Sequence, residues 1–224
     1  MNVFAIVPVK GFERAKTRMS ALLSPEERAH LSSLMLDNTL QVLCGARSLQ
    51  RVLVVSNEHR AGEIASRHGA EFLHEASENG VNAAVSMADE YCVRNGADAS
   101  IVIPQDLPLL DPAGVEVMCR LAEGEERCIV LCPSQRYDGT NALLRKPSTV
   151  ISTFFDNDSY ENHIGAAREC GVPVRLYFSK SLMCDIDTPE DASQLAKEEP
   201  ANVNGVLEFL KAKQIAREKT HQQS

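Results

Sequence analysis

The chain has 224 residues, of which 44% are hydrophobic and 24% charged, as in a globular domain with a substantial core. Its formal net charge is −8 at pH 7, which argues against a general binder of nucleic acids or of membrane surfaces. No apolar run approaches the roughly 20 residues of a membrane span, no signal peptide is recognised and the cysteines lack a Cys-x-x-Cys motif, so we expect a cytoplasmic protein.

Strands and helices alternate in the hydrophobic pattern, beginning with a buried strand. The first long helix starts at Ser24-Pro25-Glu26-Glu27, where serine is the N-cap, proline takes the first helical position and glutamate completes a capping box. Pro173 weakens the last strand and favours a sheet edge. In chain order the pattern predicts strand 3–8, helix 25–45, strand 51–56, helix 58–68, strand 70–73, helix 81–95, strand 100–104, helix 112–122, strand 128–133, strand 141–145, helix 159–170, strand 172–178, helix 189–197 and helix 203–219.

This alternation predicts an α/β protein with one mostly parallel, mixed sheet that is flanked by helices on right-handed crossovers. The opening strand is expected at the centre of that sheet. No internal repeat, low-complexity segment or linker divides the chain. We therefore expect a single domain over residues 1–200, a helical extension of the same domain at 201–219 and a disordered tail at 220–224.

Four cations follow the first strand closely: Lys10, Arg14, Lys16 and Arg18. Ligands of an open parallel sheet bind beyond the carboxyl ends of its strands, so a cationic loop here predicts a polyphosphate site. The loop lacks the Gly-x4-Gly-Lys-Ser/Thr spacing of a P-loop and has only one of the glycines of a Rossmann fingerprint. A solvated basic loop without a ligand is the alternative interpretation.

Two acidic segments are candidate Mg²⁺ sites, because magnesium takes few protein oxygens and keeps waters and substrate phosphates. Asp106 follows the third buried strand between two prolines, and Asp111 is better placed to cap the next helix. Asp185 and Asp187 alternate on an extended segment, so both side chains should project to one side. A competing interpretation makes Asp187 part of a helix cap, which leaves Asp185 unexplained.

Glycine and polar residues at the starts of three predicted elements form weaker candidate sites. Free N–H groups at the helix from 81 could hold a base edge or a phosphate, with an Asx cap as the alternative. Small polar side chains at the strand from 141 suit an anion, although a simple glycine turn has the same residues. A serine and a histidine share one face of the helix from 159, but a lone histidine is more often structural. These residues are Gly80 and Asn82, Thr140 and Asn141, and Ser159 and His163.

Several motifs occur in order between residue 3 and about residue 195: Val7-Pro8-Val9-Lys10, Ala15-Lys16-Thr17-Arg18, Ser24-Pro25-Glu26-Glu27-Arg28, Asp106-Leu107-Pro108, Gly139-Thr140-Asn141-Ala142-Leu143, Ser159 with His163, and Asp185-Ile186-Asp187-Thr188-Pro189-Glu190-Asp191. Together they resemble the 2-phospho-L-lactate guanylyltransferase family. The resemblance implies a Rossmann-like fold of the nucleotide-diphospho-sugar transferase type. It also implies GMP transfer from GTP to 2-phospho-L-lactate or phosphoenolpyruvate, which gives lactyl-2-diphospho-5'-guanosine and pyrophosphate in coenzyme F-420 biosynthesis.

The resemblance further implies a role for each candidate residue. One departure is Asp156, since members of the family often have glycine three residues before the serine that binds the acceptor. Asp156 would repel an anionic acceptor that passes there. The implied Mg²⁺ ligands are Asp106, Asp185 and Asp187. The implied catalytic cations are Lys10, Lys16 and Arg18, and the nucleotide is bound by these together with Pro8, Gly80 and Asn82. The implied acceptor-binding residues are Thr140, Asn141, Ser159 and His163.

The predicted chemistry needs no general base, because the acceptor phosphate, with a second pKa of about 6, is already mostly dianionic at neutral pH. It needs neutralisation of the negative charges of the acceptor and the triphosphate. Other functions stay open: a nucleotidyltransferase with another nucleotide or acceptor, a non-catalytic nucleotide-binding regulator on the same fold, or a glycosyltransferase with an Asp-x-Asp site. A regulator has no need of three metal-binding aspartates, and the late position of Asp185 and Asp187 disfavours a glycosyltransferase. The sequence leaves open the base, the acceptor and the oligomeric state, with a homodimer among the alternatives.

Overall fold

The structure, a computed structural model, describes residues 1–12, 15–197 and 205–221 of the chain. Arg14 of the basic loop, residues 201–204 of the predicted extension and residues 222–224 of the predicted tail lie outside these described residues. Within the described ranges, no helix is both long enough and apolar enough to cross a membrane.

One sheet of seven strands crosses the described part of the chain, and it is mostly parallel and mixed, as predicted. The strands are β1 (Val3–Pro8), β2 (Leu49–Ser56), β3 (Glu71–His74), β4 (Ala99–Val102), β5 (Cys128–Pro133), β6 (Thr140–Lys146) and β7 (Val174–Leu176). Their order across the sheet is β3-β2-β1-β4-β6-β5-β7. Strand β6 runs antiparallel to both of its neighbours, whereas the other pairs are parallel.

The helices follow the predicted start and stop signals closely. At the first of them, Ser24 Oγ accepts a bond from the Glu27 N–H and the Glu27 carboxylate accepts one from the Ser24 N–H, so the predicted capping box is confirmed. The helices are α1 (Pro25–Gly45), α2 (His59–His68), α3 (Val81–Arg94), α4 (Pro112–Leu121), α5 (Ser159–Glu169), α6 (Lys180–Met183), α7 (Pro189–Lys197) and α8 (Gly205–His221), with a 3-10 helix at Thr17–Ala21.

Helices cover both faces of the sheet, which is why strands such as β1 and β5 are continuously apolar. Leu40 of α1, Ile64 of α2 and Met118 of α4 belong to the core on one face. Val85 of α3 and Ala167 of α5 pack on the other face. A buried ion pair adds to this packing: Arg145 of β6 donates to both carboxylate oxygens of Asp89 on α3, at 2.8 and 2.6 Å. Helix α3 is thereby fixed against β6.

The C-terminal helix α8 folds back onto the rest of the chain. Its residues Val206, Leu207 and Leu210 are buried in a second apolar cluster together with Leu31 of α1 and Leu195 of α7. This cluster lies beside the 3-10 helix, whose Met19 is also part of it. It therefore supports the segment that carries the basic residues.

The structure differs from the sequence prediction where long-range pairing decides. β1 is the third strand of seven, one position away from the centre. The predicted strand at 172–178 is reduced to Val174–Leu176, although its predicted place at the sheet edge is confirmed. The insertion of β6 between β4 and β5, the 3-10 helix and the four-residue α6 had no local signal that predicted them.

Candidate active site

The candidate residues come together at the edge of the sheet where β1 and β4 end and β6 begins. β1 and β4 are parallel neighbours, so the segments that follow them leave the sheet on the same side. Val102 of β4 pairs with Leu143 of the antiparallel β6, so the first residues of β6, Thr140 and Asn141, start beside the end of β4. The antiparallel direction of β6 thus brings the predicted acceptor residues to the predicted basic and acidic segments.

The ammonium group of Lys16 lies between two carboxylates. Its Nζ is 2.7 Å from Asp106 Oδ2 and 2.8 Å from Asp187 Oδ1, and the Lys16 side chain is only 7% exposed. Burial alone would lower the pKa of Lys16, but the charges of Asp106 and Asp187 outweigh it and the pKa is raised. Burial would likewise raise the pKa of Asp187, but Lys16 outweighs it and the pKa of Asp187 is lowered. Lys16 and Asp187 are therefore both charged at neutral pH.

Asp185 lies near this trio and forms no salt bridge within the described residues. Asn141 Nδ2 donates to Asp185 Oδ1 at 3.3 Å and to the Met183 carbonyl at 3.0 Å. Burial, followed by the charge of Asp106, raises the pKa of Asp185. The Ile186 N–H donates to the Asp106 carbonyl at 3.2 Å, which ties the two acidic segments together. The site thus holds a third carboxylate whose charge is poorly compensated.

A divalent cation would find suitable donors here, although no metal site is preformed. In the ranges that the structure describes, no group of three or more His, Cys, Asp or Glu side chains is arranged to hold a metal ion. Asp106 and Asp187 nevertheless surround one positive charge, that of Lys16. Carboxylate oxygens are also the protein ligands that Mg²⁺ prefers. The donor set fits magnesium, and the predicted metal site stays a prediction.

The capping interpretation, in which Asp187 is the cap residue or its neighbour, holds for the neighbour: the Asp187 N–H donates to Asp191 Oδ2 at 3.1 Å. Thr188 caps α7, because its Oγ1 accepts from the Asp191 N–H at 3.2 Å while Asp191 Oδ2 accepts from the Thr188 N–H at 2.8 Å. Asp191 also accepts a bond from Arg136 at 2.7 Å. Arg136 is thus a further cation close to the acidic segment 185–191. It was not identified from the sequence, and its only signal there is its position shortly before the 139–143 motif. The Asp187 carboxylate itself is left for Lys16.

The hydroxyl oxygens of Thr140 and Ser159, two of the predicted acceptor-binding residues, are held by internal hydrogen bonds. Ser159 Oγ accepts a bond from the Thr140 N–H at 2.8 Å, and Thr140 Oγ1 lies 3.0 Å from His163 Nδ1. The Phe154 N–H donates to His163 Nε2 at 2.9 Å, so in the neutral ring the hydrogen is on Nδ1 and points to Thr140. Each hydroxyl already accepts one bond, and its own O–H remains to be donated.

His163 does not offer a ring nitrogen to a ligand, contrary to its expected role as an acceptor-binding residue. It is 0% exposed, and both of its nitrogens have protein partners. Burial, followed by the charge of Arg145, lowers its pKa from the usual 6.5 to about 4, so the ring is neutral at pH 7. The expectation is corrected to a positioning role: His163 orients the Thr140 hydroxyl.

Asn82 also departs from its expected role as a nucleotide ligand. Its Oδ1 accepts from the Phe155 N–H at 2.8 Å and its Nδ2 donates to Asp156 Oδ2 at 2.9 Å. The amide therefore links the start of α3 to the segment before α5. Gly80 is the N-cap of α3, with a φ of +87° that residues other than glycine rarely adopt. No side chain caps this end of the helix, so the Asx-cap alternative is wrong.

The remaining predicted nucleotide ligands lie on the open side of the site. Lys10 is exposed and Pro8 is half-buried at the end of β1. The Arg18 side chain is 72% exposed, and its Nη1 is 3.9 Å from Asp187 Oδ2. Among the described cations of the basic segment, Lys16 is therefore buried, whereas Lys10 and Arg18 are exposed.

Comparison with known proteins places this geometry in a family. Residues 3–221 match the family model described as "Guanylyl transferase CofC like". A phosphoenolpyruvate guanylyltransferase of Rubrobacter xylanophilus is 40% identical over 195 residues, which cover 87% of this chain and 94% of the relative. A 2-phospho-L-lactate guanylyltransferase of Methanothermobacter thermautotrophicus is 36% identical over 195 residues, which cover 87% of this chain and 84% of the relative. The resemblance carried by the sequence motifs is confirmed.

A solved structure supports the fold. A protein of Desulfovibrio desulfuricans G20, provisionally described as a nucleotide-diphospho-sugar transferase, superposes with a TM-score of 0.77 at 14% sequence identity. The match covers 98% of this chain and 98% of that chain. At such low identity the likeness concerns the fold alone, and it confirms the predicted fold class.

Proposed function

The chain belongs to the CofC-like family of guanylyl transferases, and from this premise we propose that it transfers GMP from GTP to 2-phospho-L-lactate or phosphoenolpyruvate. The products are pyrophosphate and the guanosine diphosphate ester of the acid, which serves coenzyme F-420 biosynthesis. The observation that carries the proposal is the buried Lys16 between Asp106 and Asp187, with the neighbouring Asp185 bonded to Asn141.

An oxygen of the acceptor's phosphate attacks the α-phosphorus of GTP. The bond from that phosphorus to the oxygen bridging to the β-phosphate breaks, and pyrophosphate leaves. The attacking phosphate is already an anion, so the site needs no base to remove a proton. What it needs is positive charge and positioning, because two anions must approach each other in line. Lys10, Lys16 and Arg18 supply cations on the side where β1 ends.

Magnesium completes the charge balance in this proposal. Asp106, Asp185 and Asp187 would hold the ion, since their oxygens are of the preferred kind and their charges exceed that of Lys16. Bound there, Mg²⁺ would neutralise phosphate charge as the acceptor approaches. Asn141 orients the Asp185 carboxylate through its hydrogen bond.

The acceptor side favours acids whose two anionic groups are close together. The Thr140 and Ser159 hydroxyls are neighbours, because Ser159 Oγ is 2.8 Å from the Thr140 nitrogen, and together they suit one anionic group. The carboxylate cluster begins at the next residue, with Asn141 bonded to Asp185, and the cation held there suits the other group. 2-Phospho-L-lactate and phosphoenolpyruvate carry carboxylate and phosphate on adjacent atoms. 3-Phosphoglycerate has them one carbon further apart and should be a poor acceptor.

The test measures pyrophosphate release with each of the four nucleoside triphosphates and each of the three acceptors, and identifies the product by mass. We expect release with GTP and the two adjacent-anion acids, with 3-phosphoglycerate at least about tenfold lower in kcat/KM. Preference for another nucleotide would refute guanylyl transfer. Clear preference for 3-phosphoglycerate would refute the adjacent-anion site.

A further inference from the structure

Lys16 is held where a metal ion would have to enter. Its Nζ contacts one oxygen of Asp106 and one of Asp187, and its side chain is 7% exposed. The residue takes φ 52° and ψ 39° at the start of the 3-10 helix, so the backbone is turned to bring the side chain inward. Two of the three hydrogens of the ammonium group are thus committed to the carboxylates.

The same carboxylates are poorly arranged for a metal while Lys16 stays. Burying carboxylates is unfavourable unless cations accompany them, and the buried Lys16 and the exposed Arg18, 3.9 Å from Asp187, face three carboxylates. In the described parts of the chain, no three acidic, histidine or cysteine side chains form a metal-binding group. Lys16 occupies Asp106 Oδ2 and Asp187 Oδ1, so a divalent cation that takes these two oxygens has to displace it.

We propose that Lys16 is the resident counter-cation of the Asp106–Asp187 pair and leaves it when a divalent cation binds. In the protein without substrates, Lys16 competes with the metal and keeps its affinity low. When a nucleotide binds, the released Lys16 ammonium contacts its phosphates. The metal and the nucleotide therefore each raise the affinity of the protein for the other. The inference rests on the proposed function for the nucleotide, but the competition itself involves only Lys16, the two carboxylates and the metal.

The direct test is a titration of the full chain with Mn²⁺ alone, followed by electron paramagnetic resonance, without nucleotide or acceptor. Mn²⁺ replaces Mg²⁺ well because both prefer oxygen ligands in octahedral geometry. Lys16→Met should tighten Mn²⁺ binding at least about tenfold, because the competing ammonium is gone. Arg18→Met is the matched control, since it removes one positive charge from the same segment but from an exposed side chain. It should tighten binding by less than about threefold.

Two results overturn the proposal. Equal tightening in both variants would mean that only the overall charge matters, and unchanged or weaker binding in Lys16→Met would mean that Lys16 helps to hold the metal. If wild-type protein released no pyrophosphate with any substrate pair, the proposed function would fail while the Mn²⁺ titration would still decide the role of Lys16.

A second measurement covers the case in which Lys16→Met folds poorly. Removing the ammonium leaves Asp106 and Asp187 buried without their cation, so the melting temperature should fall. Saturating Mg²⁺ should recover more of the melting temperature in Lys16→Met than it adds to wild type. An equal Mg²⁺ effect in both proteins would overturn the exchange. Lys16→Gln, which keeps much of the side-chain length, gives the same comparison if Lys16→Met is insoluble.

Discussion

Asn82 and Asp156 join the start of α3 to the segment before α5 through a hydrogen bond of 2.9 Å from Asn82 Nδ2 to Asp156 Oδ2. The other polar atom of the same amide accepts from the Phe155 N–H at 2.8 Å. Asp156 is the residue that departs from the glycine common in the family. Its carboxylate accepts a bond from Asn82, so the segment before α5 is tied to the start of α3.

Exchanging these two residues tests the link. Asn82→Asp puts two carboxylates face to face and should lower kcat/KM at least about tenfold, because they repel each other. Combining it with Asp156→Asn should restore activity, since a carboxylate at position 82 can accept from both the amide at 156 and the Phe155 N–H. Steady-state kinetics on the three variants decide this. A double variant no better than Asn82→Asp would contradict a direct contact.

His163 offers a matched pair of variants for its positioning role. His163→Asn keeps an amide donor near the place of Nδ1, whereas His163→Gln keeps an acceptor near the place of Nε2. We expect His163→Gln to raise the acceptor KM about tenfold and His163→Asn to raise it less, because only the donor orients the Thr140 hydroxyl. The GTP KM should stay unchanged in both. Equal effects on both substrates would indicate a purely structural role.

The buried neutral His163 also makes stability depend on pH. Its folded pKa is about 4 and its unfolded value is near 6.5, so between these values the unfolded chain binds more protons. Stability should fall as the pH falls through this window, by up to about 3 kcal/mol from this group. His163→Asn should lose less stability on acidification than wild type. Urea unfolding at neutral pH and near pH 4 measures the difference, and equal losses would contradict the prediction.

The three aspartates of the proposed metal site should be indispensable for turnover. Asp106→Asn, Asp185→Asn and Asp187→Asn should each reduce kcat by more than roughly tenfold, about 1.4 kcal/mol of barrier, with the fold intact by circular dichroism. Asp111→Asn is the control, because Asp111 caps α4 through the Gly114 N–H at 2.7 Å and asparagine caps equally well. Near-normal rates in all three variants at saturating Mg²⁺ would remove the metal hypothesis.

The cations after β1 should affect the nucleotide more than the acceptor. Lys16→Ala and Arg18→Ala should raise the KM for GTP with little change in the acceptor KM. Arg18→Lys should also be impaired, because an ammonium does not replace a planar donor that binds phosphate through two bonds. If both alanine variants raise only the acceptor KM, the nucleotide and acceptor sides have been assigned the wrong way round.

The sequence predicted those parts of the fold that depend on neighbours along the chain. The strand at 128–133 and the capping box at Ser24 are observed at the predicted residues. The antiparallel direction of β6 follows from the loop 134–139, which is too short for a parallel crossover after β5. The pairing of β6 with β4, in which Ser100 faces Arg145, was not predictable. No local pattern contains that information.

For the candidate site, too, the sequence predicted some features and could not predict others. Motifs indicated which residues belong to the site, but not what each side chain touches. Asn82 and His163 have residue types that serve equally well as ligands and as supports, and their hydrogen bonds to Asp156 and Phe154 connect distant segments. Only the three-dimensional arrangement distinguishes the two roles.

The antiparallel return of β6 has a consequence for how acceptor preference can change between relatives. Because of it, strands β5 and β6 and helix α5 form one unbroken stretch of chain, residues 128–169, which contains Thr140, Asn141 and Ser159. The strands β1 to β4 are complete by residue 102. A recombination event, or an engineered transplant, could therefore exchange these three proposed acceptor-binding residues together, as one continuous segment. Arg145 and Asp156 lie within this stretch, so the recipient would have to supply their partners Asp89 and Asn82.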